Sequence, residues 1–203
     1  MVRKAIRRCV KALSPCLVVL ALSSSAAAAH AQWVVHAMGG TVQAVLPAKK
    51  AMTLVTDDGT SGKFEFPETE NVNVVFEKDV RSATMNADKF NGEGHHVIVF
   101  YFGNDLVRTA VAVEDLGTAP VVKETGTVVS FDKHSRTITM LTAEGKQEPF
   151  VVDDKTVVDT GEGVTSGKKL HVSKGDHLRL LAESENGHEE VMLVRTSGID
   201  NAM

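Results

Sequence analysis

The sequence predicts an all-β protein made of two tandem five-stranded OB-like Greek-key barrels that follow a signal peptide. Two observations carry this prediction: short stretches alternate polar and apolar residues, and one set of turn and strand positions occurs twice. The 203 residues are 43% hydrophobic and 24% charged. These proportions are ordinary for a folded protein and too apolar for a disordered one.

The first segment has the composition of a secretory signal peptide. Residues 1–31 contain five Lys and Arg residues and no acid, then the apolar run 16–22, and small residues that end at Ala29 and Ala31. The apolar run is shorter than the roughly 20 residues that a membrane span needs. Small residues at these two positions suit signal peptidase. We therefore expect cleavage after Ala31, a periplasmic or extracellular location, and no membrane span in the mature chain.

Charge and cysteine content exclude several classes of function for the mature chain. Without the five bases of residues 1–31, 17 of the 22 Lys and Arg residues remain against 26 acids, a net charge of −9. A nucleic-acid partner is therefore not expected, because such proteins carry a basic patch. Cys9 and Cys16 would leave with the signal peptide. The mature chain would then contain no cysteine to form a disulfide, bind a metal as a thiolate or act as a nucleophile.

An internal repeat divides the rest of the chain. The tripeptide Gly-Thr-Val at 40–42 recurs at 126–128, and Phe64 recurs as Phe150, both at an offset of 86 residues. Later the offset becomes 81, which pairs Gly94 with Gly175 and Gly117 with Gly198. We predict one barrel over residues 32–117 and a second over 118–203, joined by a linker at 116–125.

Each unit contains five stretches with strand character. Alternation of period two over 136–142 is typical of a half-buried strand, and Asn186-Gly187 is a strong hairpin signal. A single short helical piece fits at 83–90. Five short antiparallel strands in about 80 residues favour a small closed barrel, of which the OB-fold is one type. The predicted strands are 40–46, 51–56, 62–66, 95–102 and 106–113, then 126–132, 136–142, 148–152, 176–183 and 190–196.

The second unit opens with a run that resembles known small barrels. Residues 125–139 read Thr-Gly-Thr-Val-Val-Ser-Phe-Asp-Lys-His-Ser-Arg-Thr-Ile-Thr. This run is similar to the opening hairpin of a family of small exported bacterial OB-like barrels of unknown function, found singly or in tandem. Its later Gly-Asp before a fourth strand resembles Gly175-Asp176. The periplasmic copper-binding CusF family shares the opening, and the resemblance, over most of 126–196 and more weakly over 40–117, implies an OB-like fold.

The copper ligands of CusF-like proteins are not carried over by this resemblance. The family's histidine at the end of the second strand falls on Leu141 in the second unit and on Val55 in the first. The family's Trp-Pro-Glu-Met-Thr-Met run, which supplies thioethers and a stacked indole, is absent from this sequence. The resemblance therefore implies a fold without implying a metal site.

Four other residues are candidate metal ligands. His36 and Met38 would lie on one face of a strand, while Trp33 points away, and imidazole with thioether suits a soft metal. His95 and His96 are adjacent, so a strand would turn them to opposite faces and a loop would be needed to bring both to one ion. The alternative for all four is an ordinary surface or packing role.

No catalytic motif is present in the sequence: the nucleophile elbow, phosphate loop, dinucleotide fingerprint and metalloprotease helix are all missing. We therefore expect an exported, non-catalytic binding or interaction module without a cofactor, whose partner is an unidentified protein or small ligand. One alternative is a periplasmic copper- or zinc-binding protein that uses His and Met. A second alternative is a structural subunit of an envelope complex.

Overall fold

Twelve β-strands and three short 3-10 turns make up the described part of the protein, seen in a computed structural model. The structure describes residues 33–67, 77, 80, 83–104, 107–185 and 187–196, so the predicted signal peptide and Asn186 lie outside it. The strands are β1 His36–Leu46, β2 Ala51–Thr56, β3 Ser61–Glu65, β4 Met85–Asn86, β5 His96–Gly103, β6 Arg108–Gly117, β7 Val122–Asp132, β8 Thr137–Thr142, β9 Gln147–Thr160, β10 Gly163–Ser166, β11 His177–Glu185 and β12 His188–Thr196.

The strands close into two barrels with the same order. In the first barrel β3, β2, β1, β5 and β6 pair in sequence, and a parallel bridge between Glu65 of β3 and Thr109 of β6 closes the ring. In the second barrel β9, β8, β7, β11 and β12 follow the same order, and a longer parallel pairing of β12 with β9 closes the ring. The predicted all-β class and the two OB-like Greek-key barrels are confirmed.

Strand registers repeat between the barrels, including their irregularities. Thr41 lies opposite Val55 and Thr127 opposite Leu141, and each pairing shifts register just after the next pair along the strand. The last hairpins agree in the same way: Phe100 pairs with Ala112 and Leu181 with Leu193, and both registers shift at that point. Sequence offsets of 86 and 81 therefore connect residues that occupy the same place in the two barrels.

Several predicted boundaries were wrong. The helical piece at 83–90 is instead β4 and a 3-10 turn, Ala87–Lys89. The predicted strand 148–152 extends to Thr160, because the apolar residues after Asp153 pair with β12 of the same barrel. The linker shrinks to residues 118–121, since β6 and β7 continue into the region predicted as linker. Within the described ranges, no helix is long and apolar enough to cross a membrane.

A third core joins the two barrels. Each barrel has its own apolar interior, and a further buried cluster draws on the outer faces of both. Gly39 allows the close approach, because a Cβ there would lie 3.1 Å from Leu181 Cδ2. Phe100 is fully buried in this cluster, and Phe102 is half-buried. The fully or nearly fully buried residues of this third core include Val35, Ala37, Ile98, Phe100, Ala112, Val157, Leu181 and Leu193.

Candidate binding surface and the junction ion cluster

Part of the outer sheet surface of the second barrel carries no charged side chains, and the exposed carboxylate of Asp132, opposite Thr137, borders it. Two rows of cross-strand neighbours run over β7, β8 and β9: Thr127–Leu141–Gln147 and Ser130–Thr139–Pro149. The strand residues between them point into the barrel core, as alternation requires. Leu141 lies in the first row and is 42% exposed. We call this surface the uncharged face, defined by Thr127, Ser130, Thr137, Thr139, Leu141, Gln147, Pro149 and Val151.

The equivalent surface of the first barrel is charged. There Ser61, Lys63 and Glu65 of β3 take the places of Gln147, Pro149 and Val151. Lys63 and Glu65 form an exposed ion pair with 2.7 Å between Nζ and Oε1. The two barrels therefore share an architecture and differ in what this surface can bind.

One histidine borders this surface in each barrel. His177 Nδ1 lies 3.1 Å from the Thr127 hydroxyl, and His96 Nδ1 lies 3.0 Å from the Thr41 hydroxyl, at equivalent positions. His177 is exposed, whereas His96 is half-buried. Burial, and then the nearby charge of Lys123, lower the pKa of His96, while the Glu183 carboxylate acts in the opposite direction.

A buried ion cluster crosses the junction between the barrels. Asp159 Oδ1 lies 3.0 Å from His36 Nδ1, and Asp159 Oδ2 accepts a 3.0 Å hydrogen bond from the Ala37 backbone N–H. Arg195 approaches Asp159 Oδ2 with its Nε at 3.7 Å, and its Nη1 lies 3.9 Å from Asp57 Oδ1. We call His36, Asp57, Asp159 and Arg195 the junction ion cluster. It places one guanidinium beside two buried carboxylates contributed by different barrels.

A second ion pair supports this junction. Arg179 Nη1 lies 3.6 Å from Asp58 Oδ2, and both side chains are about three-quarters buried. Burial raises the pKa of Asp58, but hydrogen bonds from Thr56 and Thr60 and the charge of Arg179 outweigh it and bring the pKa to about 2. The Asp57-Asp58 turn between β2 and β3 thus contacts the second barrel through both carboxylates.

Met38 lies in the first barrel core beside a guanidinium. Arg108 sits over the rings of Phe64 and Tyr101, 5.6 and 5.7 Å from their centroids, and its Nη1 is 3.8 Å from Met38 Sδ. The position that a soft cation would take, between a thioether and two aromatic faces, is occupied by this side chain. His36 lies at the same end of the barrel, 6.1 Å from the Tyr101 ring, but its Nδ1 is directed to Asp159.

The remaining candidates are separated from each other. His95 Nδ1 contacts Asp115 Oδ1 at 2.9 Å, whereas His96 faces Thr41. Trp33 is 61% exposed and stacks on Phe102, with 5.2 Å between ring centroids. In the described part of the chain, no group of three or more His, Cys, Asp and Glu residues is arranged to hold a metal ion.

Sequence reasoning missed the charged residues of the junction. Asp159 is a lone acid after the apolar pair Val157-Val158, and Arg195 follows the run Val191–Val194. Each is fully or nearly fully buried. A charge inside an apolar strand run predicts a buried ion pair, because an unpaired charge is rarely buried. That signal was present, but it did not identify the partners.

Comparisons with known proteins give a distant likeness of fold. No protein-family model matches the chain, and no curated protein matches it. Among solved structures, Ag(I)-bound CusF matches with 16% identity and a TM-score of 0.31, over 38% of this chain and 99% of that chain. Apo-CusF residues 6–88 from Escherichia coli matches with 16% identity and a TM-score of 0.30, over 38% and 88% of the two chains. The distant resemblance to the CusF barrel is confirmed, at a level that supports no conclusion about metal binding here.

Proposed function

We propose that the protein is an exported, non-catalytic binding protein that contacts an extended peptide segment of a partner through the uncharged face of its second barrel. The observation that carries this proposal is a surface of eight uncharged residues around an exposed Leu141, in a chain with 24% charged residues. Binding interfaces are depleted of charge at their centre. OB-fold barrels bind oligonucleotides and oligosaccharides on a face of their second and third strands, and both of these strands contribute to the uncharged face.

The first barrel supports the second rather than duplicating its binding surface. Its equivalent strands carry the Lys63–Glu65 pair, which would have to be desolvated by an apolar partner. Its outer face on β1 and β5 contributes to the shared core with the second barrel. Of these two equivalent surfaces, the uncharged face of the second barrel is the one that we propose to bind the partner.

A random peptide library displayed on phage tests the proposal directly. Peptides selected on the purified protein should lose about tenfold or more in affinity for Leu141→Lys, which buries a charge in the contact. Ser61→Lys, an exposed position on the equivalent strand of the first barrel, is the matched control and should leave affinity unchanged. Peptides that bind Leu141→Lys as well as the unsubstituted protein, or no enrichment at all, would contradict the proposal.

Metal binding is the second candidate, favoured by one observation. His36 Nδ1 bonds to a carboxylate, the arrangement that orients many metal-ligating histidines. A thermal melt with Cu(I), Cu(II), Zn(II) and Ca(II) separates the candidates, since a ligand at 100 times its dissociation constant adds about 2.7 kcal/mol. A flat result with all four ions would count against the metal function. A shift with one metal that Met38→Leu abolishes would establish the metal function instead.

A further inference from the structure

The loop before β5 contains an asparagine-glycine step. Asn91 and Gly92 follow the 3-10 turn Ala87–Lys89 and lie outside every strand, and the Asn91 side chain is exposed. Asparagine is one of the thermolabile residues of proteins. It is most labile before glycine, because the backbone nitrogen that follows can approach the side-chain amide carbon when no Cβ shields it. This step is therefore a candidate for chemical modification.

The packing of the loop requires a glycine at position 92. A Cβ there would lie 2.7 Å from His95 Nδ1 and 2.8 Å from Phe90 Cζ. Phe90 is 3% exposed and belongs to the core of the first barrel, so its ring cannot move aside freely. A larger residue at position 92 would have to displace both rings. The fold thus keeps a glycine directly after the exposed asparagine.

The second barrel has an equivalent loop. In both barrels a glycine N–H of this loop donates to a carbonyl of the first barrel strand: Gly94 to Val42 O and Gly175 to Val128 O, each at 2.9 Å. The two glycines differ by 81 residues, the offset of this part of the repeat. By the same offset, the asparagine-glycine step corresponds to residues 172–173. The two loops can therefore be compared position by position.

The backbone N–H groups of the two loops differ in their acceptors. Ser173 N–H donates to Asp176 Oδ2 at 2.8 Å, so that a carboxylate holds this backbone nitrogen in place. The residue equivalent to Asp176 is His95, whose Nδ1 contacts Asp115 Oδ1 at 2.9 Å instead. Among the residues that the structure describes, the Gly92 N–H donates no hydrogen bond. Its nitrogen is therefore not held away from the preceding side chain.

The hydrogen bonds that the step does make are long. Glu93 N–H donates to Asn91 O at 3.2 Å, and His95 N–H donates to Gly92 O at 3.4 Å. These distances lie at the upper limit of the usual range for N–H···O hydrogen bonds or beyond it. The peptide unit between Asn91 and Gly92 can therefore turn toward the asparagine side chain without breaking a hydrogen bond of the β-ladder.

We propose that Asn91 is a site of spontaneous deamidation, favoured by the unbonded N–H of Gly92. The Gly92 nitrogen bonds to Asn91 Cγ, the bond from Cγ to Nδ2 breaks, and ammonia leaves with the proton of the Gly92 N–H. Water then opens the succinimide ring at either carbonyl and gives aspartate or isoaspartate. The reaction consumes water and releases ammonia without oxidation or reduction. This inference stands independently of the peptide-binding proposal.

Peptide mapping by mass spectrometry tests the modification. During incubation of the purified protein in mildly alkaline buffer, fragment masses should show –NH2 replaced by –OH at position 91. Asn86 is also exposed, but Ala87 follows it and carries a Cβ, so Asn86 should stay intact over the same time. Asn91→Gln should abolish the change at this position, because the longer side chain cannot form the succinimide. An unmodified Asn91, or equal conversion of Asn86 and Asn91, would overturn the proposal.

A second pair of variants tests the role of the unbonded N–H. His95→Asp reproduces the arrangement of the second barrel and should slow conversion of Asn91 about tenfold, because a hydrogen bond to a charged acceptor must break before the attack. His134→Asp makes the same substitution at an exposed histidine of the second barrel and should leave the rate unchanged. Conversion at the same rate in His95→Asp and in the unsubstituted protein would overturn the proposed role of the Gly92 N–H.

Discussion

Arg195 and Asp159 form an ion pair at the junction of the two barrels, with 3.7 Å between Nε and Oδ2 and side chains that are 3% and 0% exposed. Asp57 of the first barrel lies on the other side of the same guanidinium. Arg195 therefore lies between two buried carboxylates, one from each barrel, and His36 also contacts Asp159. The strength of the junction depends on this residue more than on any surface pair.

Replacing this arginine should be costly. Arg195→Met leaves Asp57 and Asp159 buried together and should reduce the free energy of unfolding by about 3–5 kcal/mol, measured by urea denaturation. Arg179→Met, at the less buried pair with Asp58, is the control and should cost about 1 kcal/mol. Adding Asp159→Asn to Arg195→Met should recover part of the loss. If Arg195→Met and Arg179→Met reduced the free energy of unfolding equally, burial of the ion pairs would not determine their contribution to stability.

Asp58 should make the protein sensitive to strong acid. Its pKa is about 2 in the folded protein and 3.8 in the unfolded reference, so its contribution is complete above about pH 4. That contribution is lost as the pH falls through about 2, because protonation removes the attraction to Arg179 and the hydrogen bonds to the carboxylate. Asp58→Asn should lower stability by about 1–2 kcal/mol at pH 6 and by much less at pH 2. Melting curves of both proteins at the two pH values test this prediction. A loss of stability in Asp58→Asn that is the same at pH 6 and pH 2 would contradict it.

The close approach of β7 and β8 requires a glycine at position 126. A Cβ on Gly126 would lie 2.4 Å from the Leu141 carbonyl oxygen, which is backbone and cannot turn aside. Gly126→Ala should therefore destabilise the protein by about 1–3 kcal/mol in chemical denaturation. Gly161→Ala is the matched control, since no atom lies within 4 Å of its added Cβ. An unchanged free energy of unfolding in Gly126→Ala would mean that β7 and β8 can move apart there without loss of stability.

Export can be tested from the first segment of the sequence. Expression of the full chain in a bacterium, followed by amino-terminal sequencing of the periplasmic fraction, should give a protein that begins at Gln32. The small residues Ala29 and Ala31 set this position. Ala31→Arg should block processing, and Ser24→Ala is the control that should leave it unchanged. A mature protein that keeps residues 1–31 would contradict both the cleavage and the proposed export.

Local patterns in the sequence determined the class and most of the strands. Alternation predicted a strand at 136–142, within a residue of β8 at Thr137–Thr142, and turn residues predicted the hairpin after it. These features depend on neighbours along the chain, since side chains alternate across a strand and glycine permits tight turns. The extra length of β9 was missed because its second half pairs with β12, more than 30 residues away.

Tertiary structure alone decided how the barrels meet and which charges are buried. The carboxylate of Asp159 accepts the Ala37 N–H across 122 residues of sequence, and Asp57 meets Arg195 at the far end of the chain. A hairpin turn with two acids looks the same in sequence whether it faces water or a buried arginine. The repeat predicted two similar barrels, but they differ in their buried charges, since Arg195 lies between Asp57 and Asp159. That difference comes from desolvation and from charges placed in three dimensions, which no local pattern specifies.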